Sequence, residues 1–331
     1  MAADEASRGA AAGNLPPLIV LAGATATGKT ALSLALARSF ADRGVAAEIV
    51  SADSRQVYRG MDIGTAKATA EERASVPHHG LDLVDPDEPF SVADYTCHAA
   101  TALAGIAQRG AVALLVGGTG FYLRSVARGL AVDELAWDPQ VRASVEACLA
   151  AEGLPALVGE LRRLAPTRVA EVDLRNPRRV VRAVEIARIR GDQPLPKPRG
   201  YGRPVLWLGL SVEPPVLRDR IHARARAQFT AGLVEETRAL ANRYPTTLPS
   251  FSGIGYAEAL AVIEGRLEPD AAVAQDARRN VLFARRQATW FRREPDTRWL
   301  DATRELPLAD AIAAAEGYLA GLESPVAPLA R

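Results

Sequence analysis

The octapeptide Gly23-Ala24-Thr25-Ala26-Thr27-Gly28-Lys29-Thr30 constrains this chain more than any other stretch of it. Two glycines separated by four residues, followed at once by Lys and Thr, make a loop whose backbone N–H groups can close around phosphate oxygens. The flanks are right for it. Residues 18–21 are a short apolar run, and from Thr30 onward apolar residues recur at helical spacing. Strand, glycine loop and helix then place a helix N-terminus behind the phosphate. Lys29 adds a point charge, and the hydroxyl of Thr30 can ligate Mg²⁺.

Two further apolar runs end in small polar residues: residues 47–54 in "AEIVSADS" and residues 111–120 in "AVALLVGGTG", the latter followed by a helix from about Phe121. A return strand is expected over residues 205–212. Strands alternating with helices predict an α/β fold with a parallel sheet, like that of P-loop NTPases, and a ligand at the carboxyl ends of its strands. From about residue 128 to 203 strand signals fade and helical patterns dominate, closing in the Pro/Gly-rich "GDQPLPKPRGYGRP". The expected organisation is a disordered lead-in at 1–15, a P-loop α/β core at 16–127 and 204–325, and a mostly helical insertion at 128–203. Beyond residue 212 the chain reads as helical, over about 214–242, 255–265, 270–293 and 308–321.

Composition excludes several classes. With 331 residues, 48% hydrophobic and 24% charged, this is an ordinary globular chain with ample core. It has no apolar run long enough for a membrane span and no signal-peptide pattern, so no membrane partner is expected. Cys97 and Cys148 make neither a disulfide framework nor a zinc spacing, which fits a cytoplasmic protein. No oligomer signal stands out, so a monomer is the default. The net charge of +1 announces no nucleic acid globally, so the placing of the basic residues matters more.

Asp53 follows the second strand, where a carboxylate can act as general base or metal ligand, or merely cap a helix. A P-loop hydrolase would carry an acidic residue after a hydrophobic strand; "LLVGGTG" offers glycines and Thr119 instead, which weakens the nucleotide-hydrolysis reading. Lys67 reads equally as a second phosphate contact or a solvated cation. Arg175, Arg178, Arg179 and Arg182 lie at i, i+3, i+4 and i+7, one basic helical face. Arg285, Arg286, Arg292 and Arg293 form a second stripe, interleaved with Trp290 and Phe291 in "RRQATWFRR". Such stripes track a nucleic-acid backbone, or are solvated faces paired with Glu. Arg220 and Arg224 share a face, and either could clamp a leaving phosphate.

Taken together, "GATATGKT", "SADSRQVYRGMDIGTAK", "PHHGLDLVDPDEPFSVADY", "LLVGGTGFYLR", "NPRRVVRAVEI", "RIHARARAQFTAGLVEE", "GIGYAEAL" and "ARRQATWFRR" resemble the tRNA dimethylallyltransferase (tRNA isopentenyltransferase) family, in order from residue 23 to about 293. The resemblance implies an enzyme that moves a dimethylallyl group from dimethylallyl diphosphate to N6 of the adenosine 3′ of the anticodon, in tRNAs reading codons that begin with U. It also accounts for the missing acidic residue, since the loop would hold the diphosphate of a prenyl donor. By resemblance Asp53 is the general base or the hydrogen-bond acceptor for N6, Thr25 assists near the same centre, and Arg224 joins the loop residues Gly23 to Thr30 on the diphosphate with Mg²⁺. The tRNA anticodon stem-loop contacts carried over are Asp53, Ser54, Arg55, Gln56 and Thr119, then Arg142, Arg178, Arg179, Val180, Val181 and Arg182. Further along they are Ser252, Gly253, Ile254, Gly255, Tyr256 and Ala257, and Arg285, Arg286, Gln287, Trp290 and Arg292.

The chain departs from the family pattern at Ala24, where a proline is usual, at Asp173, Leu174, Arg175 and Asn176 in place of His-Pro-Asn-Asp, and at Asn280, Val281 and Leu282 in place of Thr-Arg-Gln. The rival readings are an adenylate isopentenyltransferase acting on AMP or ADP, a P-loop nucleotide kinase, and a nucleic-acid-binding module without catalysis. The Arg-rich insertion disfavours the first, the segment around Asp53 the second, and the complete loop the third.

Overall fold

The computed structural model describes residues 15–132 and 137–323. The lead-in expected at 1–15 therefore lies, except for Leu15, outside the described residues. The chain divides into two compact units, one made of residues up to Gly129 together with those from Gly200 onward, the other Leu130–Arg199. In chain order the first unit runs β1 (Leu18–Gly23), α1 (Lys29–Ala41), β2 (Ala47–Ser51), α2 (Ala70–Ser75), β3 (His78–His79), α3 (Val92–Gln108), β4 (Val112–Gly117) and α4 (Gly120–Ala127). The second unit supplies α5 (Pro139–Leu164), which is broken at Gly153 (φ 79°, ψ 178°) just ahead of Pro155, and α6 (Pro177–Arg190). The first resumes with β5 (Val205–Ser211), α7 (Pro214–Thr230), α8 (Leu233–Ala241), α9 (Tyr256–Ile263), α10 (Pro269–Phe291), β6 (Thr297–Asp301) and α11 (Leu308–Glu323).

The six strands form one sheet in the order β3-β2-β4-β1-β5-β6, with parallel ladders throughout. β1 and β4 are buried along their whole length because helices cover both faces. Alternate residues feed two cores: Leu18, Val20 and Leu115 pack on one face, Ile19, Leu21 and Leu114 on the other. Ser51 pairs with Val116, and Ala22 with Gly117, so β1, β2 and β4 end level. The residues that follow each strand emerge side by side at one edge of the sheet.

Two details differ from the sequence reading. Residues 297–301 form a strand between the helices expected over 270–293 and 308–321, where no element was expected. Of Thr-Arg-Trp-Leu-Asp only Leu300 is buried, so the segment carries no alternating signal; pairing with β5, Leu300 beside Leu210, makes it a strand. The helix expected over 214–242 breaks at Gly232, which takes a left-handed conformation (φ 100°) that costs a residue without Cβ nothing.

In the second unit α5 and α6 pack through Val145, Leu157, Leu161, Val180, Val181 and Val184. Asn176 caps α6, accepting from the N–H groups of Arg178 (3.1 Å) and Arg179 (3.3 Å), so the departure from His-Pro-Asn-Asp leaves the helix capped. Arg175 consequently lies before the helix, off the face the i, i+3 spacing assigned to it. Val180 and Val181, carried over as tRNA contacts, are 0% and 3% exposed and belong to the unit's core.

Candidate active site

β1 delivers the glycine loop, which turns back into α1 at Gly28, left-handed at φ 96°. Ala26 is also left-handed, at φ 63°. A side-chain-bearing residue held there stores strain of order 1 kcal/mol, the kind of strain that collects at functional sites. The loop is braced from inside and outside. Thr27 donates its hydroxyl to the Ala24 carbonyl (2.9 Å), and the Lys29 ammonium donates to the same carbonyl (2.7 Å). The Thr25 N–H donates to Oε1 of Gln287 (2.8 Å), and the Arg224 guanidinium donates to the Thr25 hydroxyl (2.8 Å). Of the two arginines that α7 offers on one face, Arg224 is thus the one at the loop; Arg220 instead reaches the Thr303 carbonyl (2.9 Å).

Asp53 stands just past the end of β2, half-buried. Its Oδ1 accepts from the Arg55 N–H (2.8 Å), a local turn, and no helix starts there, which removes the helix-capping alternative. Its charge acts on both Lys29 and Arg224. Burial pulls the Lys29 pKa down to about 8, the Arg224 cation acts in the same direction, and Asp53 opposes them. Burial likewise draws Arg224 below the usual guanidinium value, against the pull of Asp53 and Asp276. Two half-buried cations beside one carboxylate make a site that favours an anionic ligand.

The end of β4 closes the site. Thr119 accepts from the Ser54 N–H (3.1 Å) and so ties the two strand ends together. The glycines of "VGGTG" serve packing rather than phosphate binding. A Cβ on Gly118 would sit 2.4 Å from the Gln287 amide, and one on Gly120 would sit 2.4 Å from the Trp290 ring. Their absence lets α10 lie close enough for Gln287 to donate to the Gly118 carbonyl (2.9 Å) while it accepts from Thr25. Gln287, a carried-over tRNA contact, is thus a buried strut between the β1 and β4 loops. Trp290 is likewise packed, edge-on to Phe291 (5.0 Å) and beneath the Arg124 guanidinium (4.5 Å), rather than displayed for stacking. Arg285, Arg286 and Arg292 on the same helix or its end are exposed.

Other expected contacts are redistributed. Gln56 spans the interior of its own loop, with Oε1 taking the Ser51 hydroxyl (2.8 Å) and the amide donating to the carbonyls of Thr65 (3.2 Å) and Ala66 (3.3 Å). Within residues 252–257 only Ser252 is exposed; Gly253, Gly255 and Tyr256 are buried, and Ile254 and Ala257 are half-buried. Ser54 and Arg55 remain half-buried at the rim. Lys67 is neither phosphate ligand nor solvated cation. Its ammonium is buried against the Tyr58 carbonyl, Asp62 (2.7 Å) and Asp82 (2.6 Å). In the second unit Arg178 and Arg179 are exposed, whereas Arg142 (3.0 Å) and Arg182 (3.1 Å) both pair with the buried Glu185. Sequence reasoning missed Asp276 altogether. It is 1% exposed on α10, receives the Asn280 amide, and has its carboxyl pushed up to about 6 by burial.

A level strand edge, a glycine loop entering a helix and flanking cations define the class: a P-loop-like α/β protein. Comparison with known proteins narrows it. The family model for IPP transferase matches residues 56–294. A tRNA dimethylallyltransferase of Roseiflexus sp. (strain RS-1) is 46% identical over 291 residues, spanning 86% of this chain and 93% of that protein. The crystal structure of a tRNA isopentenylpyrophosphate transferase from Bacillus halodurans superposes with a TM-score of 0.66 at 36% identity, covering 92% of this chain and 96% of that one. A eukaryotic dimethylallyltransferase, solved acting on tRNA, shares the fold at a TM-score of 0.74 and 22% identity, over 96% of this chain and 82% of its own. The chain belongs to the IPP transferase family, and with it to the prenyl-transferring enzymes. Among the described residues no helix is long and apolar enough to cross a membrane.

Proposed function

We propose that this protein transfers the dimethylallyl group of dimethylallyl diphosphate to N6 of the adenosine 3′ of the anticodon, in tRNAs reading codons that begin with U, releasing diphosphate. The observation that carries the reading is the convergence of Lys29, Arg224 and Thr25 on one side and Asp53 on the other, at a single sheet edge. In the reaction the allylic C–O bond breaks and its electron pair leaves with the diphosphate. The C–N6 bond forms, and N6 loses one proton. The leaving group gains charge as the bond breaks, so cations already in place stabilise the transition state more than the ground state. Lys29, Arg224 and the loop N–H groups hold the diphosphate, and Asp53 receives the N6 proton. Asp53 and the two cations act on one another electrostatically, so the proton acceptor stands beside the donor's diphosphate.

The residues suit a magnesium ion carried in with the diphosphate. Mg²⁺ prefers one or two protein oxygens and takes the rest from phosphate and water, and Thr30 presents an accessible hydroxyl at the start of α1. Bound there it would neutralise developing charge on the leaving group. The nucleic acid is read by exposed cations on two elements, Arg178 and Arg179 of α6 and Arg285, Arg286 and Arg292 along and just beyond α10. The relatives' names, each a tRNA-modifying transferase, support that partner. An adenine in a stacked anticodon loop must be splayed out to reach the sheet edge.

The test is mass spectrometry of an unmodified anticodon stem-loop incubated with the protein, Mg²⁺ and dimethylallyl diphosphate, with AMP as the competing acceptor. One dimethylallyl unit on the adenosine 3′ of the anticodon, with AMP inert, is the expected result. Prenylation of AMP alone would overturn the tRNA assignment.

A further inference from the structure

Asp53 opens a long loop, residues 52–69, whose far half is gripped by a carboxylate from another element. Glu236 of α8 accepts from three successive backbone N–H groups: Asp62 (3.1 Å) and Ile63 (2.9 Å) on Oε2, Gly64 (3.4 Å) on Oε1. Its Oε1 also receives the Tyr256 hydroxyl (2.6 Å). Burial and the Glu236 charge hold that phenol protonated, so it remains a donor. Gly64 lies flat on the Tyr256 ring, where a Cβ would come within 2.4 Å of a ring carbon. From α7, Gln228 donates to the carbonyls of Ile63 (2.6 Å) and Gly64 (3.0 Å). Both faces of one dipeptide are thereby held, the N–H groups by Glu236 and the carbonyls by Gln228.

Gln228 lies one helical turn after Arg224 on α7, so the helix that clamps the loop also carries the arginine on Thr25. At its near end the loop is tied back by Gln56, which joins Ser51, at the end of β2, to Thr65 and Ala66, the residues just beyond the clamp. An unbroken set of contacts therefore runs from the Asp53 strand end through Gln56, residues 62–66 and Gln228 to Arg224. We infer that Glu236, with Tyr256 and Gln228, is a positioning residue that sets the separation between Asp53 and Arg224, and so between the proton acceptor and the leaving diphosphate. The inference rests on the roles proposed for those two residues. A carboxylate suits the task, because its two charged oxygens accept all four donors, whereas an amide has one oxygen and would turn its NH₂ towards the remaining donors.

The test is a mutant cycle in the full-length protein, Glu236→Gln against Asp53→Asn. It is read by single-turnover prenylation of the stem-loop, by binding of inorganic diphosphate, by thermal melting and by amide hydrogen exchange. Displacement of a reacting group by about 1 Å costs up to a hundredfold in rate. Glu236→Gln is expected to slow turnover about tenfold to a hundredfold, with diphosphate affinity within about twofold of the parent. Exchange should rise in a peptide covering residues 52–66 and stay unchanged over the glycine loop. In the Asp53→Asn background the same substitution should cost less than about threefold. Equal losses in both backgrounds, or unchanged exchange in 52–66, would overturn the clamp. Near-normal turnover of Asp53→Asn alone would instead overturn the role of Asp53. Should Glu236→Gln melt below the assay temperature, Tyr256→Phe removes one hydrogen bond and keeps the ring on Gly64. It is expected to slow turnover severalfold with the same dependence on Asp53, and an effect independent of Asp53 would again overturn the proposal.

Discussion

The guanidinium of Arg224 and the hydroxyl of Thr25 are 2.8 Å apart, although 199 positions separate them in the chain. That hydrogen bond joins α7 to the glycine loop and holds a guanidinium cation against it. Arg224→Ala should reduce kcat/KM for the diphosphate donor by about a hundredfold to a thousandfold, as the loss of a preorganised charge partner does elsewhere. Arg224→Lys should recover only part of it, because a compact ammonium cannot bond Thr25 and a phosphate oxygen in one plane. Steady-state kinetics with donor and stem-loop varied separately check both.

Lys29 makes the diphosphate site pH-dependent. Its pKa is drawn down to about 8 by burial and by Arg224, so it is charged below pH 8 and loses its proton above. A bound diphosphate favours the protonated form. Corrected for the diphosphate's own protonation, affinity should therefore be level below about pH 7.5 and fall towards about tenfold per pH unit above pH 8. Lys29→Arg should remove that fall. Calorimetric titration between about pH 6.5 and 9.5 measures it.

Replacing Asp53 by Asn keeps the size of the side chain and its turn with Arg55, but removes the proton acceptor. Turnover should drop by roughly two to four orders of magnitude, the usual worth of a positioned base, with diphosphate binding retained. Rapid-quench measurement of prenylated stem-loop separates the two effects.

Asp276 carries a cost in stability. Its carboxyl, ordinarily 3.8, is raised to about 6 in the folded protein, chiefly by burial, and Oδ2 has no hydrogen-bond partner among the described residues. The ionised form is thus disfavoured on folding, and stability declines as pH rises from about 4 through 6. By linkage the penalty at neutral pH is on the order of 2–3 kcal/mol. Asp276→Asn should raise the melting temperature at about pH 7.5 and bring little or no gain at about pH 4.5, measured by scanning calorimetry.

Charge reversal at Arg178 and Arg179 should weaken binding of the anticodon stem-loop and make the slope of log K against log salt shallower by about one for each phosphate no longer neutralised. Prenyl-donor binding should not change. Arg142 and Arg182 are poorer targets, since both already answer Glu185, and their loss would leave that buried carboxylate unpaired. Filter binding at several salt concentrations distinguishes these cases.

Much of the fold could be read from local pattern because it rests on local physics. The Gly23–Thr30 loop, the three apolar strands ending in polar residues and the helices of the insertion are each specified by neighbours in sequence. The same reading failed where a neighbour came from elsewhere. Strand β6 is a strand because β5 lies beside it, and Gly232 breaks what reads as one helix over 214–242. Val180, Val181 and Tyr256 sit inside motifs that the resemblance assigns to nucleic acid, but helical periodicity turns every third or fourth residue inward.

The candidate site divides in the same way. By itself the sequence determined that a phosphate-binding loop opens a parallel α/β sheet, that a carboxylate follows the second strand, and that the basic residues lie in stripes, because spacing and residue type suffice for each. Only the tertiary structure decided that Arg224 rather than Arg220 reaches the loop, that Gln287 is a strut, that Lys67 is an internal tether, and that Glu236 grips the loop of Asp53. Most of these outcomes depend on angles and separations between elements far apart in the chain. Such distances are set by how the helices pack on the sheet, and no local pattern records them.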